Sequence, residues 1–239
     1  MQHLTSKVPS TEKHPYNKLY VISISLVAAM GGLLFGFDLG IITGAIPFIS
    51  KQFNLHGFAL GWVVAIFELG CMAGTLGIAW FANRYGRKKV MIFNSFLLIV
   101  TALGVAMAPS SALFCFWRFI QGASVGAASV VSPMYIAEIS PAHSRGKLVS
   151  LNQLTIVVGI LLATISGFIF GDPNNNESWR LMFGSALIPA VLFFVCIFFI
   201  PETPRWLIKA NREADAHRVL LKIGENDFIE KEMSDIKIT

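Results

Sequence analysis

Six long runs of apolar residues alternate with short polar segments along most of the chain. The runs cover about residues 19–49, 58–82, 89–108, 111–137, 148–170 and 180–200. Each run approaches or exceeds the roughly 20 apolar residues that a helix needs to cross a bilayer. The pattern therefore predicts an all-α membrane protein with six transmembrane helices between residues 19 and 200.

The two ends of the chain are polar. Residues 1–18 lack the apolar core of a cleavable signal peptide and predict an N-terminal tail. The first apolar run that follows is too long for such a signal, so we expect it to be retained. Residues 201–239 are rich in charge. They carry an apolar pattern of helical spacing at Ala214, Val219, Leu220 and Leu221. This pattern predicts one or two amphipathic helices that lie outside the bilayer.

The overall composition agrees with a chain embedded in lipid. Hydrophobic residues make up 54% of the sequence, charged residues only 14%, and the mean hydropathy is +0.63. A soluble domain carries roughly 25% charged residues, so this chain has too few to cover a water-soluble surface. The net charge of +5 does not indicate a nucleic-acid partner, because the basic residues lie in short loops between apolar runs.

Lysine and arginine are concentrated on one predicted side of the bilayer. The N-terminal tail and the loops after the second and fourth runs hold Lys7, Lys13, Lys18, Arg84, Arg87, Lys88, Lys89, Arg145 and Lys147, and the C-terminal tail is rich in both residue types. The other loops hold only Lys51 and Arg180. Basic residues favour the cytoplasmic side, so both termini are predicted to be cytoplasmic. Because the loops are short, we expect the inner membrane of a bacterium.

Small residues recur four positions apart within the apolar runs. The stripes are Gly36, Gly40 and Gly44; Gly70 and Gly74; Gly122 and Gly126; and Gly159, Ala163 and Gly167. Such stripes let the backbones of membrane helices approach closely, which predicts a compact bundle. Pro47, Pro133 and Pro189 are expected to bend or break their helices.

Three ionisable residues, Asp38, Glu68 and Arg118, fall at membrane depth. Each costs about 2.5–3.5 kcal/mol on insertion scales, so such groups usually face a cavity or a partner. Asp38 lies about 16 Å before Ile49 and Arg118 about 12 Å after Ser110, on helices of opposite direction. The two side chains are thus expected to meet. Asp38 points away from its glycine stripe, either towards an aqueous cavity or into a static pair that pins two helices.

The sequence offers nothing that indicates catalysis. It holds no evident nucleophile–base set and no phosphate-binding loop, and Cys71, Cys115 and Cys196 lie far apart in separate apolar runs. Cysteines spaced in this way do not form a metal site or a disulfide pattern, and small buried side chains are the simpler interpretation. We therefore expect no enzyme, no metal and no cofactor.

Seven residue strings occur in one order: FGFDLGIITGAIPFI, NRYGRKK, WRFIQGASVG, PMYIAEISPAHSRGK, NQLTIVVGILLA, WRLMFG and PETPRWL. Together they resemble the N-terminal six-helix half of the sugar porters, a branch of the major facilitator superfamily. They look most similar to its proton-coupled hexose symporters, over about residues 19–222. The resemblance implies two three-helix repeats that form one half of a twelve-helix carrier.

The resemblance also implies roles for individual residues. Asp38 matches the first-helix carboxylate that binds the coupled proton, and Arg118 matches the arginine that modulates it. Gln153 matches a glutamine that hydrogen-bonds sugar hydroxyls, a task that suits an amide because it both donates and accepts. Glu68 departs from the family pattern. It is interpreted as a second titratable group, as an alternative partner of Arg118, or as a protonated acid hydrogen-bonded between helices.

Charged residues at the predicted cytoplasmic side resemble the inner gate of the family. They are Arg84, Arg87, Glu138, Arg145, Glu202 and Arg205. Asn83 stands where the superfamily often has Asp. The alternative is that these are ordinary solvated charges that fix the orientation of the loops, since single exposed ion pairs contribute little to stability.

The predicted function is transport of a hexose, pentose or polyol, coupled to protons, by alternating access between two halves. The expected partners are the sugar, protons, the lipid bilayer and a second six-helix half, on the same longer chain or on a separate subunit. Two alternatives remain open. One is a facilitative uniporter, and the other is a membrane protein that transports nothing, such as a truncated carrier, a sensor or a regulatory subunit.

Overall fold

The computed structural model describes residues 16–224, 229–230 and 233–234, so most of the predicted N-terminal tail lies outside the described part. That part is almost entirely helical. Its helices are α1 Lys18–Phe53, α2 Phe58–Tyr85, α3 Arg87–Ala106, α4 Ser111–Ile139, α5 Arg145–Phe170, α6 Ser178–Ser185, α7 Leu187–Ile197, α8 Pro204–Lys209 and α9 Glu213–Ile223.

Six helical segments are long and apolar enough to cross a membrane, which confirms the all-α membrane fold class. They are α1 to α5 and the combined segment Ser178–Ile197. Side-chain caps fix two of the starting points. Asn17 accepts a hydrogen bond from the backbone of Tyr20 at the start of α1, and Ser110 accepts one from Leu113 at the start of α4. Such caps satisfy amide groups that have no partner within the helix.

The sixth span is interrupted at Ala186, between α6 and α7. Pro189 explains the position of the break, because it has no backbone N–H to donate to the carbonyl of Ser185 four residues earlier. Pro47 and Pro133, by contrast, lie inside helices that continue without interruption. Of the three prolines, only Pro189 therefore accompanies a broken helix.

The small-residue stripes form the closest helix contacts of the bundle. Gly36 of α1 lies against the backbone carbonyl of Ile156 in α5, and Gly159 of α5 lies against the backbone of α1. The α2–α4 contact is built in the same way, with Gly70 against the carbonyl of Phe119. A methyl group at any of these glycines would collide with backbone atoms that cannot move aside. The predicted close packing is thus confirmed for the pairs α1–α5 and α2–α4.

Helix α9 packs on the bundle through one apolar face. Its buried residues are Ala216, Val219, Leu220 and Ile223. The predicted pattern was partly wrong, because Ala214 and Leu221 are exposed. Both lie on the opposite side of a helix with 3.6 residues per turn. The backbone N–H of Asn17 donates to the carbonyl of Ile223 at 2.7 Å, so the end of α9 is tied to the start of α1.

Candidate functional site

Asp38 of α1 and Arg118 of α4 form an ion pair deep inside the bundle. Arg118 Nη1 lies 3.1 Å from Asp38 Oδ1, and the two side chains are 1% and 3% exposed, respectively. The helix depths estimated from the sequence predicted this contact, and the structure confirms it. The pair joins α1 to α4 through two residues that are 80 positions apart in the chain.

The guanidinium of Arg118 is held by three further side chains. Its Nη1 also donates to Gln121 Oε1 at 3.0 Å, one turn further along α4. The ring centroids of Phe67 and Phe183 lie 4.1 and 5.1 Å from its central carbon. Aromatic faces at these distances attract a cation. Arg118 therefore lies among two oxygen acceptors and two rings, and both Arg118 and Gln121 are only 1% exposed.

None of these three neighbours was predicted from the sequence. The spacing of Arg118 and Gln121 could have indicated their contact, because residues three apart lie on one face of a helix. Phe67 and Phe183 come from α2 and α6, and no local pattern distinguishes them from the many other apolar residues of their runs.

Asp38 does not face an open cavity in this structure. The residue is only 2% exposed, because α4 lies across it and the Arg118 guanidinium occupies the space in front of its carboxyl group. The expected orientation towards an aqueous cavity is therefore corrected to a closed, paired environment. The prediction that Asp38 points away from the glycine stripe holds, since that stripe packs on α5 and Asp38 contacts α4.

Glu68 lies on the exposed side of α2. Its neighbour Phe67 faces Arg118, and successive helical residues point about 100° apart, so Glu68 is turned away from the ion pair. It forms no hydrogen bond or ion pair with any residue that the structure describes. The interpretation of Glu68 as an acid hydrogen-bonded between helices is wrong here, and the carboxylate that pairs with Arg118 is Asp38.

Gln153 is exposed on α5 and makes no hydrogen bond within the described part of the chain. The preceding residue, Asn152, points the other way and is buried beside Gly32, and its Oδ1 lacks a hydrogen-bond partner among the described residues. One turn further, Thr155 donates to the backbone carbonyl of Ala29 at 2.8 Å. The amide of Gln153 is therefore available to a ligand on the exposed face of α5.

A second polar cluster lies where α2 and α4 end and α3 begins, which we call the charged end of the bundle. Arg87 Nη2 lies 2.8 Å from Glu138 Oε1, and Arg87 Nη1 donates to the backbone carbonyl of Ala82 at 3.0 Å. The other oxygen of Glu138 accepts a hydrogen bond of 2.7 Å from Thr203 Oγ1. Three separate stretches of the chain meet in this cluster.

Glu202 completes the cluster by capping α3 from a distant part of the chain. Its carboxyl group accepts hydrogen bonds from the backbone N–H groups of Arg87 at 3.0 Å and of Lys88 at 3.1 Å. A carboxylate is favourable there because the start of a helix carries partial positive charge. Gly86, with φ of 98°, leaves the room that Glu202 needs. Burial raises the pKa of Glu202, and this effect exceeds the opposing effect of the backbone donors and of Arg87.

The other three predicted gate residues stay apart from this cluster. Arg84, Arg145 and Arg205 are exposed and form no hydrogen bond or ion pair with the described residues. Two aromatic contacts that were not predicted strengthen the cluster instead. Tyr135 donates its hydroxyl to the carbonyl of Pro201 at 2.8 Å, and the indole of Trp206 donates to the carbonyl of Asn83 at 2.9 Å.

The sequence matches the family model described as "Sugar (and other) transporter" over residues 24–239. The chain is 36% identical to the galactose-proton symporter of Escherichia coli K12, over 92% of this chain and 47% of that protein. It is 41% identical to a D-xylose transporter of Levilactobacillus brevis, over 87% of this chain and 46% of that protein.

The fold is similar to solved structures as well. A structure of the proton:xylose symporter XylE bound to 6-bromo-6-deoxy-D-glucose superposes with a TM-score of 0.87 and 37% identity, over 93% of this chain and 53% of that chain. The chain thus spans about half the length of the relatives it matches. The family consists of transporters, which agrees with the prediction that the chain is not an enzyme. By its sequence and its fold, the chain belongs to the sugar transporter family of the major facilitator superfamily.

Proposed function

We propose that this chain forms the N-terminal half of a carrier that moves a sugar across a membrane together with a proton. The observation that carries the proposal is the buried contact between Asp38 and Arg118 at the centre of a sugar-transporter half. Related proteins of the family include a galactose-proton symporter and a D-xylose-proton symporter. We assign the proton to Asp38 because it is the buried carboxylate that pairs with the deep guanidinium.

The surroundings of Asp38 suit a group that changes its charge. Burial favours the neutral carboxylic acid, whereas the adjacent guanidinium favours the carboxylate, so small movements of α1 against α4 alter the balance. Gln121 supports this role, since it keeps an acceptor on Arg118 when Asp38 is neutral. A charged Arg118 without any acceptor would carry a large desolvation penalty.

The sugar is assigned to the exposed face of α5. Gln153 offers both a donor and an acceptor there, which matches the paired donor and acceptor character of a sugar hydroxyl. In carriers built from two repeats, the substrate binds between the halves near the middle of the membrane. We therefore propose that a second six-helix half, on the same chain or on a separate subunit, supplies the opposite wall of the sugar site.

The charged end is proposed as the cytoplasmic gate, with both termini in the cytoplasm of a bacterium. Arg87, Glu138 and Glu202 connect the ends of α3 and α4 to the stretch before α8. Because these bonds are spread over several groups, they can be exchanged as the two halves rock. Arg84, Arg145 and Arg205 remain available on the same surface for contacts with the second half.

The proposal is tested by uptake into liposomes that contain this chain together with its second half. Labelled galactose, xylose and glucose are offered with and without an inward proton gradient. We expect the gradient to drive accumulation of at least one sugar. We expect Asp38→Asn to abolish accumulation while exchange of sugar across the membrane continues, because the neutral amide fixes one protonation state.

Glu68→Gln is the matched control, since Glu68 is an acid of the neighbouring helix that lies outside the ion pair. It should leave accumulation intact. Full accumulation by the Asp38→Asn variant would remove the proton assignment. Downhill flux without any effect of the gradient would instead indicate a uniporter, and no flux of any sugar would indicate a protein that does not transport.

A further inference from the structure

A long apolar groove runs between α2 and α3. Both helices pack on α4 but make few contacts with each other, which leaves a hollow of about 550 Å³. Gly74 and Gly77 of α2 and Ala123 and Ala127 of α4 line it with little side-chain volume. Asn94 also borders the groove, but its amide donates to the carbonyl of Ser124, so it does not make the floor polar.

The groove has the length of one leaflet of a bilayer. Its lining residues on α2 extend from Ala73 to Tyr85, which corresponds to about 18 Å along a helix. The hydrocarbon core of a membrane is about 30 Å thick, so one leaflet contributes about 15 Å. The groove therefore reaches from the charged end of the bundle to about the middle of the membrane.

A free cation lies at the mouth of this groove. Lys89, in the first turn of α3, borders the groove, is exposed, and forms no hydrogen bond or ion pair with the residues that the structure describes. Its neighbours are engaged elsewhere, because Arg87 pairs with Glu138 and Lys88 donates to the carbonyl of Phe198 at 2.9 Å. The Lys89 ammonium is thus available to an anion at the membrane surface.

We propose that this groove binds one acyl chain of an anionic phospholipid, whose phosphate is held by Lys89. The apolar walls match the chain, the depth matches one leaflet, and the unpaired ammonium at the mouth matches a negatively charged headgroup. Basic residues beside a membrane attract anionic lipids in this way. The inference uses no residue assigned to the proton or the sugar, so its test does not depend on whether the chain transports a sugar.

The groove lies apart from the exposed sugar-site candidate, since Gln153 is on α5, which packs mainly on α1. Its floor of glycine and alanine and the Lys89 ammonium at its mouth match one hydrocarbon chain with an anionic headgroup. A helix of a second copy in the same place is an outcome that the experiment below distinguishes.

Two pairs of substitutions test the site. Gly77→Leu fills the groove, and the only atom near its new Cβ is on the Phe81 ring at 3.9 Å, so the backbone need not move. Gly61→Leu is the matched control, on the same helix but with nothing within 4 Å and outside the groove. Lys89→Gln removes the charge at the mouth, and Lys147→Gln removes an exposed lysine from the first turn of α5.

The purified chain is reconstituted with phosphatidylglycerol that carries a photoreactive diazirine in one acyl chain, and the crosslinked peptides are mapped. We expect crosslinks in the stretches 73–85 and 89–97. Gly77→Leu should remove most of them, and Gly61→Leu should not. Lys89→Gln should lower them about fivefold, the equivalent of about 1 kcal/mol for one basic residue at an anionic surface. Lys147→Gln should leave them unchanged.

Three further arms distinguish the sources of the signal. Phosphatidylcholine with the same diazirine chain should label the groove weakly and should not respond to Lys89→Gln. Excess inorganic phosphate should not compete. Three outcomes would each overturn the proposal: equal labelling of Gly77→Leu and Gly61→Leu, displacement by inorganic phosphate alone, or loss of the labelling as the protein-to-lipid ratio rises, which would place a second copy of the chain in the groove.

Discussion

Two largely buried ion pairs join different helices in the described part of the chain, and they differ in how neighbouring residues support them. Arg118 and Asp38 meet in the middle of the bundle. Among the described residues, the only further polar contact of the guanidinium is Gln121, and its other neighbours are aromatic rings. Arg87 and Glu138 meet at the charged end, where a backbone carbonyl, a threonine hydroxyl and an asparagine side chain share the same hydrogen-bond network.

This difference indicates two different ways of changing state. At the charged end, losing one bond leaves each partner with others, so the cluster can rearrange without protonation. In the middle of the bundle few alternatives exist, and a buried charge without a partner is very unfavourable. We therefore expect a change there to need a proton, as the proposed function requires. An arginine paired with a carboxylate thus suits the proposed gate at one depth and the proposed proton site at another.

Removing the cation of the deep pair should have the largest effect. Arg118→Met keeps the packing against Phe67 and Phe183 but leaves the Asp38 carboxylate alone. We expect the free energy of unfolding to fall by about 3–5 kcal/mol at alkaline pH, measured by denaturant titration in lipid. The double variant Asp38→Asn/Arg118→Met should recover much of this loss. A double variant as unstable as the single one would show that the carboxylate is not the cause.

Breaking the pair at the charged end should cost less. Glu138→Ala removes the acceptors of Arg87 and Thr203, yet Arg87 keeps the carbonyl of Ala82 and the side chain of Asn83. We expect the free energy of unfolding to fall by about 2 kcal/mol in the same denaturant titration. Glu138→Gln is the control, since an amide can still accept from Arg87, and it should stay close to the original protein. A loss as large as that of Arg118→Met would contradict the proposed redundancy.

Removing the second acceptor of Arg118 should have a smaller effect still. Gln121→Leu leaves Asp38 in place, so we expect the free energy of unfolding to fall by about 1 kcal/mol, the contribution of one hydrogen bond. Gln153→Leu changes the same residue type at an exposed position that makes no hydrogen bond, and it should be nearly neutral. If the free energy of unfolding fell equally in both variants, the contact between Gln121 and Arg118 would not explain the loss of stability.

The pH dependence of the charged end should be the smallest effect. Burial raises the pKa of Glu202 above its ordinary value of 4.5, so the folded state favours the protonated form. The stability that Glu202 contributes is complete below pH 4.5 and is lost as the pH rises through the raised pKa. The free energy of unfolding of the original protein should therefore fall relative to that of Glu202→Gln as the pH rises. A constant difference would contradict the raised pKa.

Much of the architecture follows from local features of the sequence. The length of the apolar runs predicts six spans, the four-residue spacing of glycines predicts the close helix contacts, and the depths of Asp38 and Arg118 predict their meeting. Glu68 shows the limit of this reasoning. Its depth was estimated from its position along α2, but depth alone does not give the direction around the helix, and its side chain points outward.

The sequence by itself determined the class of the protein, the number of spans and the presence of a charged pair at membrane depth, because these follow from hydropathy and from helix rise per residue. The tertiary structure alone decided that Gln121, Phe67 and Phe183 surround Arg118, and that Glu202 caps a helix more than 100 residues away in the chain. It also decided that α2 and α3 diverge and leave a groove with Lys89 at its mouth. The physical reason is that such contacts depend on how each helix is rotated and which helices are neighbours, and close packing of the whole bundle fixes both.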